Sequence, residues 1–105
     1  MTAREMILAL PTRIVPAAIE GHNTCFHFIV SGTGGGEVTV AIANGECTAT
    51  EGLHGEPKCT LRCTDETFEG IVTGKQNPQM AVMMGKLKIS NLSEMLKYSK
   101  IFGMM

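Results

Sequence analysis

Cys25 and His27 are the residues whose types and spacing come closest to a catalytic pair. They share one face of a predicted strand, so the thiol could act as a nucleophile with the imidazole as its base. Residues two apart on a strand are often neighbours by chance, and no third side chain that would orient the imidazole is evident. His22 and His54 fall in predicted loops, and the single aspartate, Asp65, stands at a predicted helix start. Because paired carboxylates are not evident either, we expect no enzymatic activity.

The cysteines could also form two disulfides or one zinc site, and they are Cys25, Cys47, Cys59 and Cys63. Cys59 and Cys63 lie in an alternating segment, and four steps along a strand cover about 13 Å. Neither one disulfide nor one tetrahedral metal ion spans that distance. The spacing therefore favours free, mostly buried thiols, and we expect no metal and no cofactor.

Size and charge restrict the class of protein. The 105 residues suffice for one domain with its own core. The net charge of −1 conceals an asymmetry, with four basic and nine acidic residues in 1–72 against five lysines and one glutamate in 73–105. The basic end could contact anionic headgroups at a membrane surface or a carboxylate ligand, although a solvated face also explains it. One tyrosine, no tryptophan and no arginine cluster give nucleic-acid binding little support.

The chain carries no recognisable membrane or export signal. No apolar run approaches the roughly 20 residues of a membrane span. Near the N-terminus, Arg4 and Glu5 precede only a short apolar patch that ends at Pro11, which is unlike a cleavable signal. We therefore expect the protein in the cytoplasm.

Alternation of apolar and polar residues predicts a β-meander over residues 22–63, with strands at 22–31, 37–43, 46–51 and 58–63. The glycine run in 31–36 could suggest a phosphate cradle, but a strand follows it instead of a helix, so it is predicted to be a hairpin loop. Asn44-Gly45 predicts a tight turn. Before the meander, residues 1–21 predict two short helices, the first ended by Pro11 and the second spanning 13–21.

Helical periodicity returns after the fourth strand. Thr64 is predicted to cap a helix that buries Phe68, Ile71 and Val72. Asn77 then caps a second helix, which Gly85 ends in a left-handed conformation. A short strand at 86–89 and a last helix at 91–102 follow.

Met80, Met83 and Met84 form one apolar stripe on the helix that Asn77 caps. Flexible, polarisable thioethers suit partners of more than one shape. The plainer interpretation of such a stripe on a short helix is ordinary core packing, and the pattern alone does not decide between the two.

The order of these elements resembles the sterol carrier protein 2 family over most of residues 14–102. The residues that carry the resemblance are Thr64-Asp65-Glu66-Thr67-Phe68, Thr73-Gly74-Lys75, Asn77-Pro78, the segment Ala81-Val82-Met83-Met84-Gly85-Lys86-Leu87-Lys88-Ile89, and Ile101-Phe102. The Gly-Lys-Leu-Lys-Ile element after a methionine-bearing helix is the most specific. The chain departs from the family pattern at Asn91-Leu92, where a Gly-Asp turn is usual; asparagine also tolerates the left-handed conformation that such a turn needs.

The resemblance implies an α+β fold, with a mostly antiparallel five-stranded sheet, helices packed on one face, and an apolar tunnel. Fatty acyl chains, acyl-CoA, sterols or phospholipids would be carried there without chemical conversion. The residues expected to contact the lipid are Phe68, Ile71, Val72, Met80, Met83, Met84, Leu87, Ile89, Leu92, Leu96, Phe102 and Met105.

Two further expectations concern partners. The alternative to a carrier is an accessory or protein-interaction module of the same fold, with a closed core that works through its surface. Homodimer formation is compatible with the sequence if the N-terminal helices or Met104-Met105 expose their apolar side chains.

Overall fold

The computed structural model describes residues 2–14 and 16–98. Helices and strands follow one another in the order α1 Ala3–Leu8, α2 Leu10–Arg13, α3 Pro16–Ile19, β1 Thr24–Ser31, β2 Gly36–Ala43, β3 Glu46–Glu51, β4 Cys59–Thr64, α4 Asp65–Val72, α5 Pro78–Met83, β5 Lys88–Ile89 and α6 Leu92–Tyr98. The predicted end of the last helix at Phe102 and the terminal methionines lie outside the described residues.

The strands form one mixed five-stranded sheet in the order β3-β2-β1-β4-β5. Three of its pairings are antiparallel, as expected, but β4 lies parallel to β1. The predicted meander is therefore wrong for the fourth strand. The chain leaves β3, crosses the sheet through residues 52–58 and enters β4 beside β1, where the Lys58 N–H donates to the Cys25 carbonyl (2.9 Å). Alternation showed which side chains β4 buries, but it carries no information about the neighbouring strand.

Most of the core lies on one face of the sheet, beneath the helices. Central strand β1 contributes Phe26 and Phe28, both fully buried. The Phe28 ring meets that of Phe68 from α4 edge-on, with centroids 6.3 Å apart. At the other end of β1, Phe26 meets Tyr98 from α6 in the same manner at 5.7 Å. Aromatic pairs thus fix α4 and α6 over the middle of the sheet.

Local signals in the sequence set most of the turns. Asn44 and Gly45 adopt φ of 55° and 76°, as the tight turn between β2 and β3 requires. The glycine run is the predicted hairpin loop, held by Asp65, whose carboxylate accepts from the Gly34 N–H (2.9 Å). Pro11 does not end the first helix, which stops at Leu8; it lies instead in the first turn of α2, where its missing N–H is harmless.

Candidate functional site

Helix α5 is set between α4 and β5 by defined ends. The Asn77 side chain accepts from the N–H groups of Gln79 (2.8 Å) and Met80 (3.4 Å), which confirms the predicted cap. At the other end Gly85 has φ 75°, and the Lys86 N–H donates to the Ala81 carbonyl (2.9 Å). This is a Schellman motif, and it turns the chain directly into the segment that leads to β5.

The methionine stripe of α5 faces outward. Met80, Met83 and Met84 are 53%, 81% and 62% exposed, whereas Ala81 is only 2% exposed. The helix therefore packs on the core through its smallest apolar side chain and leaves its largest ones at the surface. The interpretation of the stripe as ordinary core is wrong in this structure, because a core stripe would be buried.

The remaining residues expected to contact lipid divide into three groups. Phe68, Ile71 and Leu87 are buried in the core cluster, and Val72 and Ile89 pack partly buried against it. Leu92 and Leu96 are about half exposed, because α6 buries Met95 and Tyr98 instead. Phe102 and Met105 lie outside the described residues. The residues expected from the sequence thus come from one apolar layer and its outer rim. The list omits the buried Ala81, Met95 and Tyr98, although helical spacing places Met95 in one apolar stripe with Leu92 and Leu96.

A surface cleft of about 310 Å³ runs along α5. Met80, Met84 and the buried Ala81 line it together with the polar side chains of Gln76, Asn77 and Lys86. Gln76 is fixed beside α4, because its backbone N–H donates to the Gly70 carbonyl (3.0 Å). An apolar wall with a few polar groups at the rim is the usual composition of a small-molecule site.

A second cleft, of about 420 Å³, lies on the other side of Lys86, and its lining is cationic. Arg62 and Lys88 come from adjacent strands, and the hydroxyl-bearing residues Ser31 and Thr64 complete its polar lining. A third cleft of about 650 Å³ lies at the opposite end of the sheet between Glu20, His22 and the Asn44 turn.

Cys25 and His27 make the contacts of structural residues. His27 Nε2 lies 2.9 Å from the His54 carbonyl, and a carbonyl can only accept, so that nitrogen carries the proton and donates. Burial raises the pKa of the Cys25 thiol, the opposite of what an activated nucleophile needs. Thr39 fixes the same loop by donating to the Gly52 carbonyl (2.7 Å) and accepting from the His54 N–H (2.9 Å). These bonds hold residues 52–58 over the other face of the sheet.

All four cysteines are free, with Cys59 and Cys63 buried and Cys25 and Cys47 partly buried. Burial and the nearby Asp65 raise the pKa of Cys63 to about 12. Among residues 2–14 and 16–98, no group of three metal-binding side chains comes together. In the same residues, no helix has the length and apolar character to cross a membrane.

Asn91, where the chain departs from the pattern it resembles, supplies the start of α6. Its side-chain oxygen accepts from the Glu94 N–H (3.2 Å), so it acts as an N-cap and not as a left-handed turn residue. Glu94 in turn accepts from the Thr24 hydroxyl (2.6 Å), which ties α6 to the start of β1. Asn91 therefore starts α6, and Glu94 helps to fix the helix on β1.

Comparison with known proteins places this architecture. The model of the SCP-2 sterol transfer family matches residues 6–103. Human sterol carrier protein 2 is 38% identical over 64 residues, which are 59% of this chain and 12% of that protein. The chain thus spans only about one eighth of the length of the curated relatives it matches.

Two solved structures share the fold. The solution structure of the sterol carrier protein domain 2 of Helicoverpa armigera has a TM-score of 0.73 at 23% identity, covering 94% of this chain and 81% of that one. The palmitated SCP2L2 of Aedes aegypti has a TM-score of 0.72 at 16% identity, covering 97% and 95%.

The helix-covered mixed sheet defines a small α+β domain with the fold of these two structures. Because the family model spans nearly the whole sequence, this chain belongs to the SCP-2 sterol transfer family. That family binds and transfers lipids and is generally not enzymatic.

Proposed function

We propose that this chain binds the apolar tail of a lipid beneath α4 and α5 and carries it without chemical conversion. The observation that carries the proposal is the cleft along α5, where the exposed Met80 and Met84 stand at the rim and the buried Ala81 at the inner wall. Surface methionines around an apolar wall provide a flexible contact for acyl chains or rings of differing shape.

The interior behind that wall is continuous and apolar. Ala81 belongs to the same core cluster as Phe68, Ile71 and Leu87, with Val72 and Ile89 packed against it. We propose that a lipid tail enters past Met80 and Met84 and displaces α5 from this cluster. The aromatic contact between Phe28 and Phe68 then forms the far limit of the site.

A fatty acyl chain is the ligand we propose to test first. The related protein of Aedes aegypti is palmitated, and the human and Helicoverpa relatives carry sterol in their names. The cleft along α5, of about 310 Å³, is at the lower end of ligand-site volumes. This size fits an opening that a single acyl chain enters and widens. The four free thiols are consistent with the proposed cytoplasmic setting.

Titration with a fluorescent fatty acid, followed by displacement with palmitate, tests the proposal, and native mass spectrometry of undenatured protein detects any lipid that co-purifies. We expect saturable uptake by the wild type. Met84→Glu should weaken it about tenfold or more, because a carboxylate replaces an apolar contact worth roughly 1.5 kcal/mol or more. Leu53→Glu is the matched control, since Leu53 is an exposed apolar side chain on the loop over the opposite face.

The outcomes separate the carrier from the closed-core interaction module. If the wild type takes up no acyl probe and no lipid co-purifies, the carrier proposal is wrong. If Met84→Glu and Leu53→Glu change the affinity for the fatty acid probe equally, uptake occurs elsewhere and the cleft along α5 is not the entrance.

A further inference from the structure

The second cleft brings three cations together at one edge of the sheet. Arg62 and Lys88 are direct partners in the antiparallel pairing of β4 with β5, and Lys86 lines the same cleft. Like charges placed directly opposite one another on neighbouring strands are destabilising. None of the described residues that line this cleft is acidic.

In residues 2–14 and 16–98, no acidic side chain pairs with these cations. Within the described residues, the ion pair that forms joins Arg4 to Glu51, on the opposite edge of the sheet. Arg62, Lys86 and Lys88 are all exposed and make neither an ion pair nor a side-chain hydrogen bond there. The site is thus an unpaired positive cluster on a chain whose overall charge is slightly negative.

The cationic cleft adjoins the methionine helix. Lys86 lines both clefts, and Gly85, which ends α5, lines the cationic one. The exposed Met80 and Met84 therefore share a cleft with Lys86, and the exposed Met83 belongs to the same helix. A cluster of large exposed apolar residues beside unpaired positive charge marks an interaction surface, and it is the composition found where proteins rest on anionic membranes.

We propose that this surface, formed by Met80, Met83, Met84, Arg62, Lys86 and Lys88, docks the protein on an anionic lipid membrane. The methionines enter the headgroup region, and the cations face lipid phosphates and carboxylates. A soluble anion would engage the cations but would leave the methionines in water, so a membrane accounts for both halves of the surface. Docking here places the opening along α5 against the bilayer.

Co-flotation with vesicles tests the contribution of the cations to membrane binding. The probes are phosphatidylcholine vesicles with and without added phosphatidylserine, and we expect binding to the anionic vesicles that weakens as salt rises. Each cation near such a surface contributes roughly a fivefold gain in partitioning. The Lys86→Gln/Lys88→Gln variant should therefore lose roughly 25-fold. Lys58→Gln/Lys97→Gln carries the same change of net charge elsewhere and should lose clearly less.

Met83→Gln tests the contribution of the exposed methionines to membrane binding, because it keeps the side-chain length and the helix propensity but removes the apolar end. It should lower binding to anionic vesicles roughly tenfold, the equivalent of one partly buried apolar side chain. The control is Leu53→Gln, on the opposite face, which should bind as the wild type does.

Several results would overturn docking: equal losses for the two lysine pairs, normal vesicle binding by Met83→Gln, or sedimentation showing that the same surface joins two copies of the chain. Fatty acid uptake measured without vesicles keeps the two proposals separate. Uptake without selective vesicle binding would reject docking alone, whereas vesicle binding without uptake would reject the carrier proposal alone.

Discussion

The substitution Ala81→Leu distinguishes an interior that can open for a ligand from one that is already filled. Ala81 is 2% exposed and forms the inner wall of the cleft along α5. Leucine adds three carbons. In a closed core they cost about 1–3 kcal/mol by overpacking, whereas in space that a lipid tail can occupy their burial returns about 2 kcal/mol. If α5 can move away from the core to admit the leucine, the strain of that movement offsets most of the gain from burial. We therefore expect the free energy of unfolding of the lipid-free protein to change by less than about 1 kcal/mol.

The same substitution should lower fatty acid uptake, because the leucine side chain occupies the entrance. Urea unfolding of lipid-free protein measures the stability, and the fluorescent titration measures the uptake. Ala3→Leu is the matched control, because Ala3 is 0% exposed on the buried face of α1, away from the cleft. This variant should be destabilised by the full overpacking cost and should take up lipid normally. If both variants lose similar stability and Ala81→Leu takes up lipid normally, the core behind α5 is closed.

Three further perturbations test the framework of the site. Asp65→Ala removes the acceptor for Gly34 (2.9 Å) and should lower the free energy of unfolding by about 1.5–3 kcal/mol in denaturant titration, with Asp65→Asn intermediate. Gly85→Ala places a β-carbon in open space at φ 75°, so it should cost only the backbone strain, about 1–2 kcal/mol in the same assay. Cys63, whose pKa is raised from 9.0 to about 12, favours folding below pH 9, and that contribution should be lost between pH 9 and 12. Burial also raises the pKa of the other three thiols, so Cys63→Ala should reduce the alkaline loss of stability in thermal unfolding without abolishing it, and an unchanged loss contradicts the assignment.

Local signals predicted much of the fold because their physics is short-range. The cap at Asn77 and the left-handed stop at Gly85 each depend on bonds spanning a few residues, and the sequence displays every participant. The same holds for the turn at Asn44-Gly45. The placement of β4 beside β1 is different, since it depends on the path of residues 52–58 and on bonds from Thr39 and His27 that no local pattern reveals.

The outward orientation of α5 was not predictable for a related reason. Periodicity shows that Met80, Met83 and Met84 share a face, but it does not say whether that face is inside or outside. Packing decides it here, because Ala81 belongs to the core cluster with residues such as Phe28 and Phe68 that are distant in the sequence. The apolar stripe is consequently turned to the surface, although hydrophobicity alone would have buried it.

This orientation links the two proposals through one short segment. Leu87 is buried and fixes the chain after α5, while Lys86 and Lys88 on either side of it point away from the core. A displacement of α5 that opens the interior must move Gly85 and Lys86, the residues that border the cationic cleft. Binding of those cations to a membrane surface would therefore act on Gly85 and Lys86, the same residues that move when lipid enters. If so, anionic vesicles should speed fatty acid release from the wild type in stopped-flow measurements. Arg62→Gln/Lys88→Gln, at residues that line only the cationic cleft, should abolish the acceleration and keep the release rate in vesicle-free buffer. An acceleration that survives the substitution would show that docking and opening are independent.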